Sequence, residues 1–254
     1  MKVVFLGTPL FIQPIKDELT KHFQLVDSLS GADPDLIGAD LGVVASYGRI
    51  LTKQELNTPK YGFINVHPSL LPKYRGPSPI QTAILNNDKI SGITIIKMDE
   101  EVDHGPILYQ EKMELSGSDN FDILSKKMFL RASEILPKII EDFAAGKIKP
   151  TPQDHAKATS TRRLTKQDGF IDINNPPPPD QLDRMIRAYY PWPGVWTKFE
   201  IRNSKFEILK FLPGQKIQVE GGKPMSVKDF INGYPSAKGI ILSIFNKPIL
   251  PLIY

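Results

Sequence analysis

The chain of 254 residues contains no cysteine. That absence excludes a disulfide scaffold, a cysteine nucleophile, a thiolate metal site and an iron–sulfur cluster. A cytoplasmic setting is the simplest expectation. Tryptophan occurs twice and histidine four times, so imidazole chemistry can fall at few positions. No apolar run is long enough to span a bilayer. The opening Val3-Val4-Phe5-Leu6 is interrupted by Gly7-Thr8-Pro9 before a signal-peptide core develops. The apolar stretch from Gly239 to Tyr254 is broken by Lys247, Pro248 and Pro251, and reads as a last strand or a docked tail. A G-x-G-x-x-G spacing is missing after the first apolar run, which disfavours a nicotinamide or flavin cofactor.

What is present is the composition of an ordinary globular chain, 41% hydrophobic and 24% charged. Short apolar runs at Val3–Gly7, Gln24–Val26, Leu41–Ala45 and Gly62–His67 read as strands, and Phe11–His22 carries helical spacing. That alternation predicts a parallel α/β sheet. Ile80–Leu85 begins another helix, Ile93–Met98 and Ile107–Gln110 pair as later strands, and Phe121–Ala145 is the longest amphipathic helix, stopped by Gly146. Residues 150–180 are polar and irregular and end in four prolines, after which Asp180–Tyr190 forms a short helix. Short strands follow from Val195. Charge shifts at the same place: residues 1–150 carry a net −2 and residues 151–254 a net +6. Trp192 and Trp196, beside Pro-Gly turns, are expected to anchor a small β domain.

In open parallel sheets, ligands bind beyond the carboxyl ends of the strands. Asn65 and His67 are two apart on a strand and share a face. An amide donor and an imidazole therefore project into one space, and an acid from a neighbouring loop could orient the imidazole. Such a set suits attack on a carbonyl carbon, with the amide donating to the oxygen as charge develops. A histidine at a strand end also serves simply as a hydrogen-bonded structural residue. Asp99, Glu100, Glu101 and Asp103 form an acidic loop, read as solvated in preference to metal-binding.

The run Asn65-Val66-His67-Pro68-Ser69-Leu70-Leu71-Pro72-Lys73-Tyr74-Arg75-Gly76 resembles the signature loop of the folate-dependent formyltransferases. Roughly three dozen residues after His67, Asp103-His104-Gly105 supplies the Asp-x-Gly setting of the same family. Further segments resemble the branch that acts on methionyl-tRNA: Phe5–Pro9, Tyr47–Leu51, Tyr74–Gln81, Gly92–Asp99, Ile186–Ala188 with Pro191–Gly194, and Gly222–Phe230. Relative to that branch, the connection between the second and third strands and the C-terminal domain are both short. Pro68 matches instead the members that act on glycinamide ribonucleotide.

The resemblance implies an α/β fold: a Rossmann-like formyltransferase domain with a mostly parallel sheet over residues 1–178, then a reduced OB-like β domain over 179–254. It implies 10-formyltetrahydrofolate as formyl donor, no metal, and initiator methionyl-tRNA as partner, with no membrane or protein partner. A nucleotide-linked amino sugar is the alternative acceptor. Catalysis would rest on Asn65, His67 and Asp103, with Asp103 orienting His67. The folate would lie between Ser69, Leu70, Leu71 and Pro72 on one side and Tyr47, Gly48, Arg49, Ile50 and Leu51 on the other. Arg162, Arg163, Lys166, Arg184 and Arg187 would meet tRNA phosphates.

Overall fold

The computed structural model describes residues 1–7, 10–28, 36, 38–202 and 205–245. Thr8 and Pro9 of the opening turn, most of the connection before Leu41, and residues 246–254 of the expected last strand or tail lie outside them.

By their internal contacts the residues form two units. The first comprises Met1–Ile80, Lys89–Leu115 and Ile123–Arg163; the second comprises Gln81–Asp88, Ser116–Asp122 and Leu164–Tyr254. Segment 164–178 thus clusters with the second unit.

The first unit is built on six strands: β1 (Lys2–Gly7), β2 (Gln24–Ser28), β3 (Leu41–Ala45), β4 (Phe63–His67), β5 (Ile90–Lys97) and β6 (Ile107–Glu114). Their order is β2-β1-β3-β4-β5-β6. The first four run parallel, and β5 and β6 each turn antiparallel to their predecessor. Every residue of β3 and β4 is buried, as befits Val- and Ile-rich strands covered on both faces. β6 alternates instead and carries Gln110, Glu111, Lys112 and Glu114 along the sheet edge, where charge discourages pairing with another chain. Helix α1 (Gln13–His22) buries Ile15 and Leu19 at helical spacing. A single-turn helix, α2 (Lys53–Leu56), is closed by a Thr52–Glu55 capping box.

Two further helices have residues in both units: α3 (Pro79–Leu85) and α4 (Phe121–Ala144). α4 buries a stripe through Leu124, Met128, Ala132, Leu136 and Ile140. It ends where Gly146 takes a φ of +71°, the left-handed stop that glycine accommodates without strain.

The polar segment that follows α4 pairs with two earlier stretches of the chain. Thr151 bridges to Ile107, and Ser160 bridges to Arg75. Its pairing partners lie far away in sequence, so no local periodicity announced it. None of the described helices is long and apolar enough to cross a membrane.

In the second unit, α5 (Pro179–Tyr189) precedes four antiparallel strands: β7 (Val195–Arg202), β8 (Lys205–Leu212), β9 (Lys216–Val219) and β10 (Met225–Ser226). They run in the order β10-β9-β8-β7. Two helices complete the described chain, α6 (Val227–Gly233) and α7 (Lys238–Phe245). Phe230 on α6 is fully buried and lies 6.4 Å from Phe199, ring to ring. The described part of the stretch expected as a last strand or a docked tail is helical over Lys238–Phe245, with Ile241 and Ile244 buried at helical spacing. Trp196 anchors its unit as expected: its indole N–H donates to Lys166 O at 2.9 Å, and the ring stands edge-on to Phe170. Trp192 does not, being about half exposed.

The basic residues of α5 are engaged within their own unit. Arg187 is only 12% exposed; it donates to Asp183 at 2.8 Å and to Asp119 O at 2.7 Å. Arg184 donates to Asp180 and to Leu85 O, both at 3.0 Å. Acids one helical turn earlier capture both guanidinium groups, and their remaining donors tie α5 to segments 81–88 and 116–122. Arg187→Ala is therefore expected to destabilise the fold by about 1–3 kcal/mol, the range for a charged hydrogen bond to a part-buried carbonyl. A fall in the thermal unfolding midpoint, followed by circular dichroism, checks this; an unchanged midpoint would refute the structural role.

Candidate active site

β4 projects Asn65 and His67 to one side of the sheet, both buried. Immediately after it the chain curls back on itself. Ser69 Oγ donates to Lys73 O at 2.6 Å, and Thr94 of β5 holds the loop by donating to Ser69 O at 2.6 Å and accepting from Leu71 N at 3.1 Å. Gln110 of β6 donates to Leu71 O at 2.9 Å. The curl brings Tyr74, with a φ of +64°, back to the strand end. His67 Nε2 lies 2.9 Å from Tyr74 O. A carbonyl oxygen only accepts, so Nε2 carries a proton in this arrangement. Nδ1 is then the position where a proton can be gained or lost.

Asp103 reaches the site by a fold-back. Because β5 runs antiparallel, its carboxyl end lies beside the start of β4, where Met98 N donates to Phe63 O at 2.8 Å. Loop 98–106 then folds back to Asn65 and His67. Asp103 sits in the left-handed region with a φ of +50°. Asp103 Oδ1 accepts from Asn65 Nδ2 at 2.9 Å, and Oδ2 accepts from Gly76 N at 2.7 Å. Oδ2 is also 3.5 Å from His67 Nδ1. The side chains of His67 and Asp103 are only 5% and 11% exposed.

The three residues therefore converge, with a different division of labour. Tyr74 O orients the imidazole, and Asn65 with Gly76 orients the carboxylate. At 3.5 Å the Asp103–His67 contact is longer than a hydrogen bond, and it becomes an ion pair only when Nδ1 carries a proton. Gly76 has a φ of +98°, and a Cβ there would stand 2.7 Å from Thr161 O, so a side chain is excluded where its N–H must reach the carboxylate. Tyr74 and Gly76 act through backbone atoms, which residue type alone does not reveal.

The proposed folate-facing residues divide. Val44 at the end of β3 pairs with Asn65, so the following segment starts beside the site. Leu51 is buried in a core cluster with Leu56 and Phe63, and Tyr47 packs against it. Gly48, Arg49 and Ile50 form an exposed rim, with Ile50 74% exposed. On the other side Ser69 and Leu71 are buried scaffold, whereas Leu70 and Pro72 are partly exposed. In the acidic loop, Asp99 Oδ2 lies 2.7 Å from His104 Nδ1 and Glu100 pairs with Lys53 at 2.6 Å.

Arg49 is fixed by a two-pronged pair with Glu55, at 2.6 and 3.2 Å. That guanidinium, with Thr52 N, holds the Glu55 carboxyl down at about 2, and the Glu55 carboxylate in turn keeps Arg49 above its ordinary value.

Residues 26–140 match the model of the Formyl transferase family, and residues 163–216 match that of the Formyl transferase C-terminal domain. A methionyl-tRNA formyltransferase of Roseiflexus sp. (strain RS-1) is 44% identical over 173 residues, 68% of this chain and 53% of that one. The chain thus spans about half the length of that relative. A methionyl-tRNA formyltransferase of Caldicellulosiruptor saccharolyticus is 34% identical over 91% of this chain and 81% of that one. The crystal structure of HypX from Aquifex aeolicus in complex with tetrahydrofolic acid shares the fold, with a TM-score of 0.70 at 17% identity over 94% of this chain and 48% of that one.

The Arg49–Glu55 pair has a defined pH signature. A carboxyl held low contributes stability above its ordinary range and loses it as pH falls towards about 2. The stability difference between the wild type and Glu55→Gln is expected to be constant near neutrality and to vanish on approach to that pH. Denaturant titrations across the acid range measure it, and a difference that persists unchanged to the acid limit contradicts the pairing.

Proposed function

This chain belongs to the Formyl transferase family, and from that premise we propose that it moves a formyl group from 10-formyltetrahydrofolate to the amino group of initiator methionyl-tRNA. The observation that carries the reading is the Asp103 carboxylate, held at once by Asn65 and Gly76 and facing His67 Nδ1 at 3.5 Å. The names of the similar proteins support the acceptor.

The residues fit a folate donor. An amide hydrogen, an imidazole edge and a carboxylate in one small space match the polar atoms of a formyl amide. Ile50 and the exposed parts of Leu70 and Pro72 would supply apolar walls, and the space where a Gly48 side chain would stand is open. The donor supplies a formamide carbonyl already activated by its arylamine nitrogen.

The protein's own groups then divide the work. Asn65 Nδ2 carries two hydrogens; one is given to Asp103, and the other donates to the formyl oxygen as negative charge develops there. His67 Nδ1 takes the proton that the attacking amine loses, while Nε2 stays bonded to Tyr74 O. Asp103, beside that imidazole, relays a proton through water to the leaving nitrogen. His67→Ala and Asp103→Ala are each expected to lower turnover by roughly two to four orders of magnitude. Folate affinity should change little, because the walls remain. Steady-state rates and equilibrium binding of tetrahydrofolate check both statements, and near-wild-type turnover in either variant refutes the assigned role.

One observation favours the second acceptor, a nucleotide-linked amino sugar. Arg184 and Arg187, two of the five residues expected to meet phosphates, are engaged within their own unit. Arg162 and Arg163 are exposed. With tRNA as substrate, neutralising each should flatten the salt dependence of tRNA binding by about one unit of slope. Charged initiator tRNA and amino-sugar nucleotides are offered separately with the formyl donor. Transfer to the sugar alone, with no tRNA binding at low salt, overturns the tRNA reading.

A further inference from the structure

Outside the catalytic set stands one buried polar side chain that touches both halves of its frame. Gln153 lies in the polar segment after α4 and is 6% exposed. Its Nε2 donates to Asp103 O at 2.9 Å and to Gly105 O at 2.8 Å. Its Oε1 accepts from Arg75 Nε at 3.2 Å and from Arg75 Nη2 at 2.7 Å. Both amide hydrogens and both lone pairs of the oxygen are thus in use.

Arg75 is flanked by the two backbone groups that set the site. The Tyr74 carbonyl holds His67, and the Gly76 N–H holds Asp103. Arg75 is itself fixed: its N donates to Thr159 O at 2.8 Å, its O accepts from Thr161 N at 2.7 Å, and its Nη2 lies 2.8 Å from His155 Nδ1. On the other side, Asp103 occupies a left-handed conformation that residues with a Cβ adopt only when their surroundings impose it. Gly105 is clamped as well, since a Cβ there would stand 1.8 Å from Lys97 O.

We propose that Gln153 is a positioning residue for the reaction: its amide spans from the Arg75 guanidinium to the carbonyls of Asp103 and Gly105, and so holds the Asp103 carboxylate in register with Asn65 and His67. This rests on the role given above to Asp103. An amide is required at this position because one face must accept and the other must donate. A glutamate of the same length would accept from Arg75 but present bare oxygens to two carbonyls. An apolar side chain would leave buried groups on both sides unpaired.

The test uses Gln153→Glu, which keeps the Arg75 contact, and Gln153→Met, which keeps the length without charge. Each is made alone and in an Asp103→Ala background. In the single variants kcat is expected to fall by about ten- to a hundredfold, the scale of a displacement of order 1 Å in a catalytic group. KM for the formyl donor should stay within about twofold, because removing a group that acts only on the reacting geometry lowers kcat alone. With Asp103 already absent, the same substitutions should change kcat by less than about twofold, since residues acting through one another are not additive. Amide hydrogen exchange should speed up in residues 99–106 and remain unchanged along α4. A kcat that survives in Gln153→Glu, or an equal fractional loss with and without Asp103, overturns the inference. A wild-type chain that formylates neither acceptor overturns the reaction, and the inference about it, on separate evidence. Unchanged exchange at 99–106 in both variants refutes the hold on the loop whether or not the reaction is seen.

Discussion

A carboxylate buried beside an imidazole must be surrounded by donors, and satisfying Asp103 organises much of the first unit. Each of its oxygens receives an N–H, one from Asn65 on β4 and one from Gly76 in the loop that follows. Those two donors fix where loop 98–106 folds and where the Tyr74–Gly76 segment ends. A buried carboxylate without such partners would be too costly to keep charged. The segment that bears Gly76 is in turn laced to Thr159 and Thr161, which places the chain beyond α4 inside the frame of the site.

The reversal of strand direction after β4 has a chemical consequence. Had β5 continued the parallel run, the loop after it would have left from the same end as His67. Because β5 is antiparallel, that loop departs beside Phe63 and must fold back to bring Asp103 against Asn65 and His67. The left-handed backbone at Asp103 and the clamped Gly105 belong to this fold-back. The acid thus meets the imidazole from a loop whose position is held from several sides.

In the second unit, positive charge is only partly available to a partner. Arg184 and Arg187 lie on a helix with acids one turn earlier, and the pairing is intrinsic to that spacing. Net charge therefore overstates what a polyanion would meet. Arg162 and Arg163, the last residues of the first unit, stay exposed, as does Lys166 in the second, unlike the arginines of α5.

Much was decided by local sequence. Alternating or continuous apolar runs marked all six strands of the first sheet, because burial on one or two faces demands them. Gly146 stopped the long helix, and Asn65 and His67 had to share a face because a strand repeats every two residues. The motif around Asn65–Gly76 and the later Asp103 singled out together the three side chains that the fold brings into one place. Tertiary structure alone decided the rest. Strand direction at β5, the capture of Arg187 by Asp119 O, and the helix at 238–245 all depend on partners distant along the chain or on packing that short apolar runs do not distinguish. Whether Asp103 or Tyr74 orients His67 was settled by a backbone carbonyl, and every residue has one. Gln153 sits in a polar stretch with no periodicity, so only the folded chain could place its amide between Arg75 and Asp103.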